Sequence, residues 1–106
     1  MQNRVYGYIG LAMKAGKIKA GEFSTEKSIK CGKARLVLVA EDASENTIKK
    51  FRNSCLHYKV PFYTFGTKDE LGKIIGKEMR SSLSIEDEGF GKRIIGIMNG
   101  GNADVR

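Results

Sequence analysis

Leu36-Val37-Leu38-Val39-Ala40 is an unbroken apolar run rich in β-branched residues. It reads as a central strand buried on both faces, which requires a layer of structure on each side. Ahead of it, Gly21 opens a short helical stretch that runs to about Cys31 and is closed by Gly32. Phe23 and Ile29 are the whole apolar content of that stretch, so most of its surface is left for solvent or a ligand. After the strand, Asp42 and Ser44 both suit the cap of a further helix, with Glu45 placed well for the dipole. Ile48, Phe51 and Cys55 mark its buried face. Pro61 then precedes Phe62-Tyr63-Thr64-Phe65, a second strand.

The outer parts of the chain follow the same alternation. Val5, Ile9, Ala12 and Met13 share one face of a first helix that Gly16 ends. Thr67-Lys68-Asp69-Glu70 fits a capping box for a helix carrying Leu71, Ile74 and Ile75, stopped by Gly76. Ser82-Leu83-Ser84-Ile85 alternates as a strand does. Asp87 caps a last helix through Phe90, Ile94, Ile97 and Met98, and residues from Gly100 onward read as a frayed tail. Strands alternating with helices across short joins predict an α/β domain with helices on both faces of a small sheet and right-handed crossovers. A short edge strand near Ile18-Lys19-Ala20 can pair antiparallel. The 106 residues, 41% of them hydrophobic, make one domain with a single core, here residues 1–99 with a flexible tail at 100–106.

Charge is unevenly spread. Residues 1–35 hold 8 of the 19 Lys and Arg but 2 of the 12 Asp and Glu, which is +6 of the total +7. Arg4, Lys14, Lys17, Lys19, Lys27, Lys30, Lys33 and Arg35 supply it, and polyanions are the obvious partner of such a region, although a merely soluble basic surface has the same composition. No apolar run approaches the roughly 20 residues of a membrane span, and no secretory leader is visible, so a cytoplasmic protein with no membrane partner is expected. Cys31 and Cys55 lie without C-x-x-C or a nearby His, so no metal site is expected; Cys55 continues an apolar face and reads as a small core residue, ahead of a structural disulfide.

Residues Gly16 to Lys27 (GKIKAGEFSTEK) are the densest candidate site. Lys17 and Lys19 alternate along an extended piece and project to one side. Gly21 permits a sharp turn or a close ligand. Ser24 and Thr25 add hydroxyls to the first turn of the following helix, and Lys27 and Lys30 lie one turn apart. The same pattern also fits an ordinary helix start with solvated lysines. His57 has no partner for general-base work, and Gly89-Phe90-Gly91-Lys92 lacks a full phosphate-loop pattern and lies inside an apolar helical period. Tyr6 and Tyr8 leave their helix in different directions, so at most one is core. No catalytic set and no cofactor motif is visible.

With these motifs in order, a resemblance becomes specific. Gly21 to Lys27, then CGKARLVLVAEDAS (31–44), VPFY (60–63) and KDELGKIIG (68–76) resemble the kink-turn RNA-binding family of ribosomal proteins. This is the large-subunit protein seven-Ae and thirty-e group, and the likeness is nearest to its small bacterial YlxQ-like members, over about residues 4–98. The resemblance implies a three-layer α/β/α sandwich with a small mixed four-stranded sheet, binding a sharply bent RNA internal loop with sheared G·A pairs. It implies structured RNA, a kink-turn or ribosomal RNA, as partner, with the ribosome itself a further one, and a monomeric, non-enzymatic protein without cofactor. Gly21 matches the family glycine and Lys27 its lysine. The family's Asn-Glu pair does not carry over: Phe23 and Ser24 stand there, and Glu22 lies one residue before. Phe can stack or pack but cannot read a guanine edge as Asn does. A second loop maps to residues 76–82, where Met79, Arg80 and Ser81 can meet an extruded base or a phosphate, against the alternative of a core Met79 and a solvated Arg80. The RNA-binding expectation therefore rests on Lys17, Lys19, Gly21, Glu22, Phe23, Ser24, Lys27, Lys30, Met79, Arg80 and Ser81. The alternative is a ribosome-associated protein-interaction module that kept the fold with a degenerate RNA site, for which Phe23 is the best support.

Overall fold

A computed structural model describes residues 2–100, with side chains described from Arg4 onward. Nine elements follow one another: α1 (Gln2–Lys14), β1 (Ile18–Ala20), α2 (Glu22–Lys30), β2 (Leu36–Val39), α3 (Glu45–Tyr58), β3 (Phe62–Thr64), α4 (Lys68–Ile74), β4 (Ser82–Ile85) and α5 (Glu88–Gly100). The sheet order is β1-β4-β2-β3. β2 pairs parallel with β3, while β4 pairs antiparallel with both β2 and β1. The expected edge strand is real, with Lys19 opposite Ser84.

The alternation of side chains along β2 divides the interior in two. Leu36 and Leu38, with Leu83 and Ile85 of β4, face a larger core closed by α1, α4 and α5 through Val5, Ile9, Leu71, Ile75, Ile94 and Ile97. Val37 and Val39 face a smaller core with Ile29 of α2 and Phe51 and Cys55 of α3. The result is a three-layer α/β/α sandwich on a mixed four-stranded sheet. Each fully buried side chain of this size contributes roughly 1.5–3 kcal/mol, so the two cores bind both helical layers to one short strand.

Four local details depend on tertiary partners or on the exact ends of elements. β4 is a strand as expected, and its serines Ser82 and Ser84 are completely buried along with Leu83 and Ile85. Their hydroxyls lie under α2: Ser82 Oγ donates to Thr25 Oγ1 at 3.2 Å, and Ser28 and Ser84 Oγ are 2.7 Å apart. Of the two candidate caps for α3, Ser44 takes the role by accepting from the Thr47 N–H at 3.1 Å. Asp42 instead accepts from the Lys68 N–H at 2.9 Å and so holds the start of α4. At the other end α5 includes Gly100, and the rest of the expected tail, residues 101–106, lies outside the described residues. Tyr6 and Tyr8 are both half-buried against the larger core, neither fully inside it.

Other expectations hold. The Thr67–Glu70 capping box is complete, Asp87 accepts from the Phe90 N–H at 2.9 Å, and both cysteines are free, Cys55 buried. Gly91 lies within α5 against Arg35 and Leu36, so the Gly89–Lys92 stretch is helix.

Two contacts around α4 are informative. A Cβ on Gly72 would lie 2.1 Å from the Glu78 carbonyl oxygen, so the loop after α4 closes directly onto the helix backbone. The Lys77 N–H donates to the Gly72 carbonyl at 2.8 Å. On the opposite side, the Tyr6 hydroxyl donates to Glu70 Oε1 at 2.5 Å and ties α1 to the α4 cap. Burial, and then that carboxylate, push the Tyr6 phenol from its ordinary 10.0 up to about 12. The Tyr6 hydrogen bond and the Thr67 N–H hold Glu70 below its ordinary value.

Gly72→Ala is expected to cost about 1–3 kcal/mol by overpacking, read as a lowered urea midpoint, whereas an Ala at the unobstructed Gly10 should not show this loss. For Tyr6 the folded value is raised, so its contribution is complete below about pH 10 and is lost as pH climbs towards 12. Glu70 has the opposite sense: its contribution is present above its ordinary value and lost on acidification through its lowered one. Urea unfolding of the wild type and Tyr6→Phe should therefore differ at neutral pH and converge in alkali.

Candidate functional site

Gly21 sets the geometry of the first candidate region. Its φ of 96° and ψ of 160° make it the N-cap of α2 in a conformation reserved for glycine. Nothing lies within 4 Å of a Cβ placed there, so the requirement is conformational, not steric. The Gly21 N–H donates to the Ser82 carbonyl at 3.0 Å, and the Ala40 N–H donates to the Ser81 carbonyl at 2.9 Å. These two bonds bring the β1–α2 turn and the loop before β4 to the same end of the sheet.

From that start α2 sorts its side chains by face. Thr25, Ser28 and Ile29 are buried against the sheet. Glu22 pairs with Lys50 of α3 at 3.2 Å, and Glu26 pairs with Lys30 at 3.5 Å while accepting from Ser54 at 3.2 Å. Phe23, Ser24, Lys27, Ser28 and Cys31 run down the remaining flank beside β1. With Lys19, Lys33 and Glu86 they line a cleft of about 270 Å³. Lys19 points into it because its neighbours Ile18 and Ala20 pack into the larger core on the other side of the sheet. Phe23 is 80% exposed. Among the described residues Lys19, Lys27 and Lys33 make no ion pair, so three cations converge with an aromatic ring and two hydroxyls.

The expected residues thus fall into groups. Lys19, Phe23, Ser24 and Lys27 share the cleft, and Gly21 positions them. Glu22 and Lys30 turn towards α3 and are engaged in ion pairs. Lys17 is exposed but its side chain does not line the cleft; its carbonyl accepts from the Glu86 N–H at 2.8 Å. In the second loop Met79 is 56% exposed, so it is not a core residue. Arg80 is half-buried, its guanidinium donating to the Met79 carbonyl at 2.9 Å, and Ser81 is half-buried beside it.

Ser28, Cys31, Lys33 and Glu86 were missed as cleft residues. Lys33 is visible as charge, but only the turn at Gly32, with the Lys33 N–H on the Ser28 carbonyl at 3.1 Å, folds it back under the helix end. Glu86 carries no local signal; the β1–β4 pairing brings it there. Cys31 is exposed whereas burial, with the Glu26 charge second, pushes the Cys55 thiol to about 12. No cluster of His, Cys, Asp and Glu that could hold a metal ion is present among the described residues, and no described helix is long and apolar enough to cross a membrane.

Sandwich, glycine-capped α2 and adjoining second loop define the class: a small domain of the type that presents one helix flank and one loop at a single end of its sheet. Residues 3–95 match the Ribosomal protein L7Ae/L30e/S12e/Gadd45 family, and the chain belongs to it. It is 41% identical over 91 residues to the RNA-binding protein YlxQ of Bacillus subtilis, covering 86% of this chain and 91% of that one. A second RNA-binding protein YlxQ, from Enterococcus faecium, is 39% identical over 99 residues, covering 93% and 95%. Among solved structures, a Bacillus halodurans protein described as of unknown function aligns with a TM-score of 0.86 at 29% identity, covering 90% and 96%. The Giardia lamblia 15.5kD RNA binding protein shares the fold with a TM-score of 0.81 at 23% identity, covering 92% and 87%.

A thiol reagent is expected to modify one cysteine, Cys31, in the native protein and both in denaturant. Intact-mass spectrometry reads the difference, and rapid native labelling of Cys55 would contradict its burial.

Proposed function

We propose that this chain is a non-enzymatic RNA-binding protein that recognises kink-turn-like internal loops in ribosomal or other structured RNA, acting as a cytoplasmic monomer on or near the ribosome. One observation carries the reading: unpaired Lys19, Lys27 and Lys33 and the exposed Phe23 converge on one flank of α2, with exposed Met79 held at the same end of the sheet. Clustered lysines that make no ion pair suit phosphate oxygens, and an exposed ring suits an unstacked base. The two YlxQ relatives are RNA-binding proteins and align along nearly their whole length, which supports the same role here.

Phe23 and Ser24 bear on specificity. A folded RNA is read largely through its shape and its backbone, so recognition of a bent loop can persist without the family's Asn-Glu pair. Gly21, Ser24 and Lys27 supply the contacts to the bend in this reading, and Met79 and Arg80 meet the extruded base. Lys17 adds long-range attraction from the approach to β1. Glu22 and Lys30 serve mainly to hold α2 against α3 and to order the helix, respectively.

Binding to a kink-turn RNA and to the same RNA with its G·A pairs disrupted, at two salt concentrations, tests the proposal. Preference for the intact kink is expected, with affinity falling steeply as salt rises. Lys27→Ala should weaken binding and lower the salt slope by about 1. Unchanged affinity of that variant across the salt series contradicts the site. Absence of binding to either RNA would favour the protein-interaction module, for which the exposed Phe23 is the supporting feature.

A further inference from the structure

Building on the RNA-binding reading, we propose that the cleft between α2 and β1 is a pocket for one unpaired nucleotide, and that it selects bases carrying an exocyclic amino group over uracil. The selective element is Glu86. Ser28 Oγ donates to Glu86 Oε2 at 2.6 Å, and the same Ser28 oxygen lies 2.7 Å from Ser84 Oγ. A serine hydroxyl has one proton. Since Ser28 gives its proton to the carboxylate, Ser84 must donate to Ser28, and the buried chain runs in one direction, Ser84 to Ser28 to Glu86. Such a chain polarises towards its acceptor end and fixes the carboxylate's orientation.

The second oxygen of Glu86 has no partner among the described residues, and Glu86 lines the cleft. An ionised carboxylate only accepts hydrogen bonds. At that position a base amino group is matched, whereas the carbonyl oxygen that uracil carries in place of cytosine's amino group meets like charge. The rest of the cleft suits the remaining parts of a nucleotide. Phe23 offers an exposed ring, and Lys19, Lys27 and Lys33 line the same cleft and supply cations for the flanking phosphates. A volume of about 270 Å³ lies below the roughly 300–1,000 Å³ of pockets for drug-sized ligands and suits a single ring system. The pocket extends the contact from the N-terminal turn of α2 down to its C-terminal end, where neither Lys33 nor Glu86 belongs to the expected bend-reading residues.

Short unstructured oligo-C and oligo-U separate this pocket from kink recognition, because the two bases differ at the amino position and neither strand forms a kink. Fluorescence anisotropy at neutral pH should give oligo-C about tenfold tighter binding than oligo-U, the worth of one hydrogen bond to a charged acceptor. Glu86→Gln, whose amide can also donate, should bring the two affinities together. Phe23→Ala should weaken both by about tenfold. Oligo-C should also slow alkylation of Cys31 in the unsubstituted protein, a readout that needs no variant. Equal affinity for both strands in the wild type, or a preference that survives Glu86→Gln, overturns the pocket. If kink-turn RNA still binds in that case, the broader function stands and only the nucleotide pocket falls. Loss of binding to every RNA overturns both.

Discussion

The hydroxyl layer beneath α2, where Thr25 meets Ser82 and Ser28 meets Ser84, is the contact on which the placement of the candidate side chains of α2 depends. α2 has one large buried apolar residue, Ile29, too little to fix a helix on a sheet by hydrophobic burial alone. Buried hydroxyls cost free energy unless satisfied, and here each is satisfied by one across the layer. Because hydrogen bonds demand direction as well as distance, they fix the rotation of α2 about its axis more tightly than an oily contact does. That rotation decides which side chains turn to α3 and which to the cleft. The Gly21–Ser82 bond sets the position along the axis.

The charge of α2 is segregated as a consequence. Glu22 and Glu26 lie on the flank facing α3, where Lys50, Ser54 and Lys30 engage them. Lys27 stands on the opposite flank with Lys19 and Lys33, away from those acids. A helix with nearly balanced charge therefore presents a cationic side to a ligand. The exposed ion pairs contribute little stability, within about 1 kcal/mol each, but they remove two acids from the cationic flank. Glu86 is the exception within the cleft, and it is held there by Ser28, whose hydroxyl Ser84 engages from the sheet side of the layer.

Much of the architecture was legible because it obeys local rules. The run at 36–40 demanded cover on both faces and has it. The capping box at Thr67 and the cap at Asp87 are decided within four residues of sequence. The burial of the β4 serines was not legible, because alternation reports polarity, and polarity reports solvent only when no partner hydroxyl is available; Thr25 and Ser28 lie more than fifty positions away. Asp42 illustrates the same limit, since its partner, the Lys68 N–H, is supplied by another element. At the site, residues on one flank of α2 followed from helical spacing. Lys33 and Glu86 did not, since a left-handed turn and an antiparallel pairing bring them in. Resemblance supplied Gly21 and Lys27 directly, and the departures at Phe23 and Ser24 are where the physical reading had to take over.

The outer position of β1 in the sheet has a further consequence, for solubility. An edge strand exposes unpaired backbone groups that another strand can join, and proteins limit this with short strands and charged side chains. β1 has three residues, its central Lys19 is exposed, and Gly21 turns the chain sharply away at its end. A second copy approaching this edge would bring its own Lys19 towards the first, so like charges oppose stacking of chains edge to edge. The cation that lines the cleft thereby also guards the sheet, and replacing it with an apolar residue would turn a charged sheet edge into a template for aggregation.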